Sequence, residues 1–157
     1  SGFSLVRRIV FDKLGLSVED HIEELGASVA DVLLAPTGIY VKVVQRLLRE
    51  LTIHGIANIS GGGLPENVPR SVRGELRPVV HRGSWPIPRV FSFLQKGGNV
   101  GESEMYNTFN MGIGMVAIVP EDQASPACEI IEGCGYPAYV IGEIVDAQGT
   151  DTSLVFS

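Results

Sequence analysis

Three consecutive glycines, Gly61 to Gly63, constrain the fold of this chain more than any other feature of its 157 residues. They follow residues 53–59, whose loosely alternating apolar side chains predict a β-strand. Glycine has no Cβ and reaches backbone conformations that other residues avoid, so a regular helix or strand is not favoured across the run. The sequence therefore predicts a strand that ends in a tight loop at Gly61.

This loop, residues 60–67, allows two interpretations. Backbone amides that no side chain crowds can converge on an anion, as they do in phosphate-binding nests. A tight turn between two elements explains the same run, and on spacing alone the turn is favoured. The run lacks the Lys and Ser/Thr of a nucleoside-triphosphate loop and the glycine spacing of a dinucleotide fingerprint. Gly61, Gly62, Gly63 and Asn67 are therefore candidate anion-binding residues with a structural alternative.

A second glycine-containing segment begins at Asn110. Residues 111–119 are apolar and partly β-branched, which predicts a strand buried on both faces. Gly112 and Gly114 are two apart and would share one face of that strand, leaving a flat lane for a ligand or for a closely packed backbone. Both uses are equally favoured by the pattern. Asn110 would lie at the rim of the lane, where its carboxamide can bind a ligand.

Charge and composition exclude other classes of function. The formal charge of -6 leaves no basic stripe to neutralise a phosphate backbone, so we expect no nucleic-acid partner. Apolar runs stay well short of the roughly 20 residues that cross a bilayer, so no membrane segment is expected. The three histidines lack metal-ligand spacing, and Cys128 and Cys134 are expected to be core thiols. No metal site is predicted.

The chain has 19 glycines and 9 prolines, which favour turns and so predict short helices and strands. Residues 17–27 are polar and predict a solvated connection or a short helix, and Pro78 to Val80 predict a short edge strand. Further strands are predicted at residues 139–145 and 153–156. Helices are predicted at residues 3–14, 39–51, 90–97, 102–108 and 122–132. This order predicts one α+β domain over residues 1–157, an α/β/α layering with a mixed sheet.

Several segments, in order along nearly the whole chain, resemble the C-terminal domain of aminoimidazole ribonucleotide (AIR) synthetase, the phosphoribosylformylglycinamidine cyclo-ligase. Among them are Gly-Ser-Trp-Pro at 83–86, Glu-Met-Tyr at 104–106 and Thr-Phe-Asn-Met-Gly at 108–112. The others are residues 2–7, 34–37, 39–42, 61–64, 66–67, 69–70, 98–100 and 140–144. Asn58 stands where the family often has His, and Gly38 where it typically has Arg.

The resemblance implies a ligase of purine biosynthesis that converts formylglycinamidine ribonucleotide to aminoimidazole ribonucleotide. It implies ATP and Mg²⁺, a homodimer of the full-length enzyme, and a cytoplasmic location, or a plastid in a plant. The chain begins at Ser1 without an initiator Met, and the family's N-terminal domain for ATP binding and dimerisation is expected upstream. We therefore expect this domain to be inactive alone and assign no catalytic residue to it.

On the resemblance, Gly61, Gly62, Gly63 and Asn67 are expected to line one wall of a substrate and phosphate site. Asn110, Gly112 and Gly114 would line another, and Thr37 and Lys42 are lesser candidates. Selenophosphate synthetase, hydrogenase maturation and formylglycinamidine synthetase proteins contain similar domains and are enzymatic alternatives. A non-catalytic interaction domain is the alternative from another class.

Overall fold

The computed structural model of the chain describes residue 5 and residues 8–16, 20–25, 27–28 and 40–157. Its α-helices are Val41–Glu50 (α1), Gly63–Asn67 (α2), Arg89–Gly98 (α3), Glu102–Thr108 (α4) and Ala124–Gly133 (α5). Its strands are His21–Ile22 (β1), Ala27–Ser28 (β2), Gly55–Asn58 (β3), Leu76–Val80 (β4), Met115–Ile118 (β5), Gly142–Asp146 (β6) and Val155–Phe156 (β7). A π-helical segment covers Arg8–Lys13, and short 3-10 turns cover Glu23–Leu25, Pro69–Ser71 and Glu121–Gln123. The predicted α+β class is confirmed.

The strands form three small sheets. β1 and β2 pair as an antiparallel hairpin, and β3 pairs antiparallel with β5. The third sheet is mixed, because β4 lies at its centre, antiparallel to β6 and parallel to β7. Among the described residues, no helix has the length and apolarity that a membrane span requires.

The central position of β4 corrects the prediction that residues 78–80 form an edge strand. Proline lacks the N–H that an inner strand needs, which is why the sequence favoured an edge. Val80 bonds on the β7 side, where its carbonyl accepts the N–H of Ser157. The nitrogen of Pro78 faces that side too, because it lies two residues earlier. The pairing with β7 begins only at Val79, so the missing N–H removes no ladder bond.

Two apolar cores lie on opposite faces of the β3–β5 ribbon, as the period of two in a strand requires. Ala57 and Val116 contact the larger core, which includes Leu64, Trp85, Leu94, Met105 and Phe109. Met115 and Ala117 contact the smaller core, which consists of Val43 and Leu47 from α1 with Ala127 and Ile130 from α5. The ribbon is therefore packed on both faces, and this packing also holds the positions of its two ends.

Most predicted helices are confirmed, and the differences lie at turns. The helix predicted at 3–14 is present in its described part as the π-helical segment Arg8–Lys13, and Gly15 follows it with a φ of +65°, a conformation that commonly ends a helix. Within residues 17–27, the described part contains β1, the 3-10 turn Glu23–Leu25 and Ala27 of β2, so the predicted short helix is present only at 23–25, between two strands that were not predicted. The strand predicted at 111–119 begins only at Met115, and the one predicted at 139–145 begins at Gly142. Gly63 belongs to α2, so the predicted loop covers only its first two glycines.

The smaller core gives a test by two adjacent leucines of α1. Leu47 is fully buried and Leu48 is 58% exposed. Leu47→Ala leaves a cavity and should lower the free energy of unfolding by about 2–5 kcal/mol. Leu48→Ala, the matched control, should change it by no more than about 0.5 kcal/mol in the same urea titration. Equal effects of the two substitutions would contradict this core.

Candidate functional site

The two glycine-containing segments meet at one end of the β3–β5 ribbon. Ile59, just after β3, donates its N–H to the carbonyl of Gly114, just before β5, at 3.0 Å. Gly63 packs directly against the carbonyl oxygens of Tyr106 and Phe109. The structure therefore brings residues 60–67 and residues 106–114 together, although 38 residues separate them in the sequence.

The glycine turn, residues 60–63, is held from within by Asn67. The carbonyl of Ser60 accepts the N–H of Gly63 at 3.0 Å, which closes the turn. Nδ2 of the buried Asn67 donates to the Gly63 carbonyl at 2.8 Å, and its Oδ1 accepts the Ser60 hydroxyl at 3.4 Å. Both ends of the carboxamide are occupied by the turn, so Asn67 supports the turn and offers no group to a ligand.

The expected nest of three free amides is wrong at Gly63. Its N–H is bonded to Ser60, and its Cα lies beneath the backbone of α4. Gly61 is exposed and Gly62 half-buried, and their N–H groups donate to no acceptor in the described part of the chain. Of the three glycine amides, two at most can therefore bind an oxyanion here.

A carboxylate lies beside the second of those residues, Gly62. Glu66 occupies the space that a Cβ of Gly62 would fill, and its Oε1 accepts a hydrogen bond from Arg70 at 2.7 Å. The pair is exposed, so solvent weakens it. An anion that approaches Gly61 and Gly62 must still displace this carboxylate or share its arginine.

The Asn110 turn, residues 110–113, is closed by two hydrogen bonds. The Asn110 carbonyl accepts the N–H of Ile113 at 3.0 Å, and its Oδ1 accepts the N–H of Gly112 at 2.8 Å. Only the carboxamide oxygen can accept an N–H, so this bond fixes the orientation of the side chain. Nδ2 has no acceptor among the described residues. Asn110 therefore keeps two N–H donors for a ligand.

The same turn contains an unusual backbone conformation. Met111 is buried and has a φ of +54°, and Gly112 follows with a φ of +95°. A left-handed conformation costs a residue with a side chain about 1–2 kcal/mol. The indole Nε1 of Trp85 donates to the Met111 carbonyl at 2.9 Å in a buried contact. The strained residue Met111 is therefore also held by a hydrogen bond from a distant part of the chain.

Gly112 and Gly114 do not share a strand face, in contrast to the prediction. Gly112 lies in the turn, where a Cβ would approach the Cδ atom of Pro88 to 2.5 Å. Gly114 lies against the hydroxyl group of Tyr40. The flat lane is absent here because the Asn110 turn takes up the first residues of the predicted strand.

Tyr40, which lies against Gly114, is a further residue at this end of the ribbon. Its ring packs on Tyr136 with 5.2 Å between centroids. Burial, together with Tyr136, raises the pKa of the Tyr40 hydroxyl, so this group remains a neutral donor at physiological pH. Lys42 follows on the first turn of α1 and is exposed. Thr37 lies outside the described residues.

Other chemistry-bearing residues lie apart from these turns. Within the described ranges, no three His, Cys, Asp or Glu side chains are placed to hold a metal ion. Cys128 and Cys134 are half-buried free thiols, and burial raises the pKa of Cys128.

The four-residue spacing of Glu66 and Arg70 is a signal that predicts their ion pair. The contact of Trp85 has no such signal, because its partner is 26 residues away.

The glycine turn gives a test by two of its own residues. A Cβ at Gly63 would overlap backbone carbonyl oxygens at a φ of +64°, so Gly63→Ala should lower the free energy of unfolding by at least about 2 kcal/mol. A Cβ at Gly61 meets nothing within 4 Å, so Gly61→Ala should change it by less than about 1 kcal/mol. Urea denaturation measures both. A harmless Gly63→Ala would show that α4 does not seal this position.

Comparisons with known proteins agree with this description. A family model described as "AIR synthase related protein, C-terminal domain" matches residues 1–154. The chain is 49% identical over 149 residues to a phosphoribosylformylglycinamidine cyclo-ligase of Thermoanaerobacter sp. (strain X514), covering 95% of this chain and 44% of the relative. It is 44% identical over 144 residues to the protein of the same name from Desulfatibacillum aliphaticivorans, covering 92% of this chain and 42% of the relative.

A relative from Geotalea daltonii with the same name is 48% identical over 152 residues, which cover 96% of this chain and 44% of the relative. The chain thus spans less than half the length of these curated relatives. The family match covers nearly every residue of the chain, including both turns of the candidate site. The chain therefore belongs to the AIR synthase related protein family and corresponds to its C-terminal domain.

Proposed function

We propose that this domain acts in an ATP-dependent cyclo-ligase of de novo purine biosynthesis. The enzyme would convert formylglycinamidine ribonucleotide to aminoimidazole ribonucleotide and release ADP and phosphate. The observation that carries the proposal is the name shared by relatives that are 44–49% identical over nearly the whole chain. The half of the relatives that this chain does not cover is proposed to supply the ATP site and the homodimer contact.

The proposed chemistry explains why hydrogen-bond donors are needed. An amide oxygen is a poor leaving group until it is phosphorylated. ATP would phosphorylate the formyl oxygen, a nitrogen of the same substrate would attack the activated carbon, and phosphate would leave as the ring closes. Negative charge develops on the phosphoryl oxygens, and fixed donors stabilise it in the transition state.

The donor that best fits this role is Nδ2 of Asn110. Its oxygen is held by Gly112, so the nitrogen is oriented before the substrate binds. The amides of Gly61 and Gly62 are a second pair of donors at the same end of the ribbon. Lys42 would add a cation beside Tyr40, and Thr37 remains a proposed contact.

The backbone turns around these donors have supporting roles. Gly63 and Asn67 hold the glycine turn, and Gly112 and Gly114 allow neighbouring groups to pack closely. Mg²⁺ is assigned to no residue of this domain, in whose described part no three His, Cys, Asp or Glu side chains are placed to hold a metal ion. We propose the cytoplasm, or a plastid in a plant, as the compartment.

A chimaeric enzyme tests the proposal directly. The C-terminal half of the Thermoanaerobacter relative is replaced by this chain, and ADP release is measured with and without formylglycinamidine ribonucleotide. We expect substrate-dependent turnover by the chimaera and none by this chain alone. A folded but inactive chimaera, together with a domain that binds a protein and none of ATP, the substrate or phosphate, would favour an interaction domain instead.

Asn110 provides a sharper test within the same chimaera. Asn110→Asp keeps an oxygen for the Gly112 N–H and so preserves the turn, but it removes both Nδ2 donors. Its kcat/KM should fall on the order of a hundredfold with little change in Tm, because one lost transition-state donor costs that much. Asn110→Ala should lose as much activity and also some stability.

Asn107→Asp on the exposed side of α4 is the matched control, since it introduces the same charge without removing a proposed donor. Its kcat/KM should stay unchanged. Full activity of Asn110→Asp would remove Nδ2 from the site.

A further inference from the structure

We propose that Trp85 is a positioning residue for this site. Its indole N–H fixes the carbonyl of Met111 and so holds the Asn110 turn in the geometry that presents Nδ2 of Asn110 to substrate. The inference rests on the proposed function, because the substrate that Asn110 binds is defined there. It adds a residue that never contacts the substrate.

The strain at Met111 needs a cause outside the turn. Asn99 and Met111 are the two residues other than glycine with positive φ in the described part of the chain. Asn99 caps the end of α3, a place where asparagine adopts this conformation readily. Methionine has no such preference. Surrounding contacts must therefore hold Met111 in the left-handed region.

The bonds inside the turn cannot supply that anchor. Asn110 bonds Gly112 and Ile113, and these contacts close the turn without attaching it to the rest of the domain. Trp85 comes from the loop before α3 and belongs to the larger core. Pro88 of the same loop packs on Gly112. The loop therefore contacts the turn at both of its residues with positive φ.

The hydrogen bond itself can be separated from the packing of the ring. The indole N–H is a donor only, and its partner carbonyl is buried with it. Trp85→Phe keeps an aromatic ring and removes the donor, which leaves the Met111 carbonyl without its partner. Met111 should then leave its left-handed conformation more often, and Nδ2 of Asn110 should no longer be held in the position that meets the substrate.

Two readouts in the chimaera test this role. Trp85→Phe should raise hydrogen exchange at the Gly112 and Ile113 amides at least tenfold, while the amide of Leu47 in α1 keeps its rate. It should lower kcat on the order of tenfold to a hundredfold, the loss expected when a catalytic group is misplaced. Ile130→Val, which removes one buried methyl group from the smaller core, is the control with a comparable loss of Tm and an unchanged kcat.

A comparison of two variants at Met111 tests whether the backbone strain there is the reason why Trp85 affects kcat. Met111→Ala and Met111→Gly both remove the buried side chain, but only glycine adopts a φ of +54° without strain. Trp85→Phe should lower kcat severalfold less in the Met111→Gly background than in the Met111→Ala background. Equal losses in the two backgrounds would overturn the inference, because Trp85 would then act through packing alone.

Two further outcomes would also overturn it: unchanged exchange at Gly112 and Ile113, or faster exchange with unchanged kcat. An inactive chimaera before any substitution would instead contradict the proposed function. The exchange measurement on the domain would still decide whether Trp85 holds the turn, so the two failures are distinguishable.

Discussion

A backbone approach that only glycine permits joins the two parts of the candidate site. Gly63 lies against the carbonyl oxygens of Tyr106 and Phe109, where any side chain would overlap main-chain atoms. This contact sets the distance between α2 and α4, and with it the distance between the glycine turn and the Asn110 turn. The ribbon of β3 and β5, packed on both faces, holds the other side of the same junction. A change at Gly63 would therefore reach groups on both segments.

Two asparagines show how little residue type says about role. Asn67 and Asn110 each hold a glycine-containing turn through the carboxamide. The Nδ2 group of Asn67 donates to the Gly63 carbonyl, and its Oδ1 accepts the Ser60 hydroxyl, so no polar group of this side chain is left for a ligand. Asn110 turns its oxygen inward to Gly112, and its nitrogen is left over. The direction of one bond separates a structural residue from a candidate binding residue.

The sequence predicted the features that are encoded locally. Pro88 precedes α3 and Gly98 ends it, and residues 102–108 form the helix that their pattern indicates. The central place of β4 was not predictable, because it depends on where β7 begins to pair beside Pro78. The late start of β5 follows from the Asn110 turn, whose Met111 carbonyl bonds Trp85 of a distant loop. Asn67 was expected to bind an anion. Its contacts with the turn carbonyls could not be predicted, because they depend on the folded path of residues 60–63.

The indole of Trp85 has a consequence for how this domain can be observed. It is the single tryptophan of the chain, and its N–H contacts the strained residue beside Asn110. Its ultraviolet emission therefore comes from one place, next to the group proposed to meet the substrate. Changes in the hydration of that place, or in the state of its carbonyl partner, would alter the emission maximum without any attached dye. The domain thus contains its own optical reporter at the point of interest.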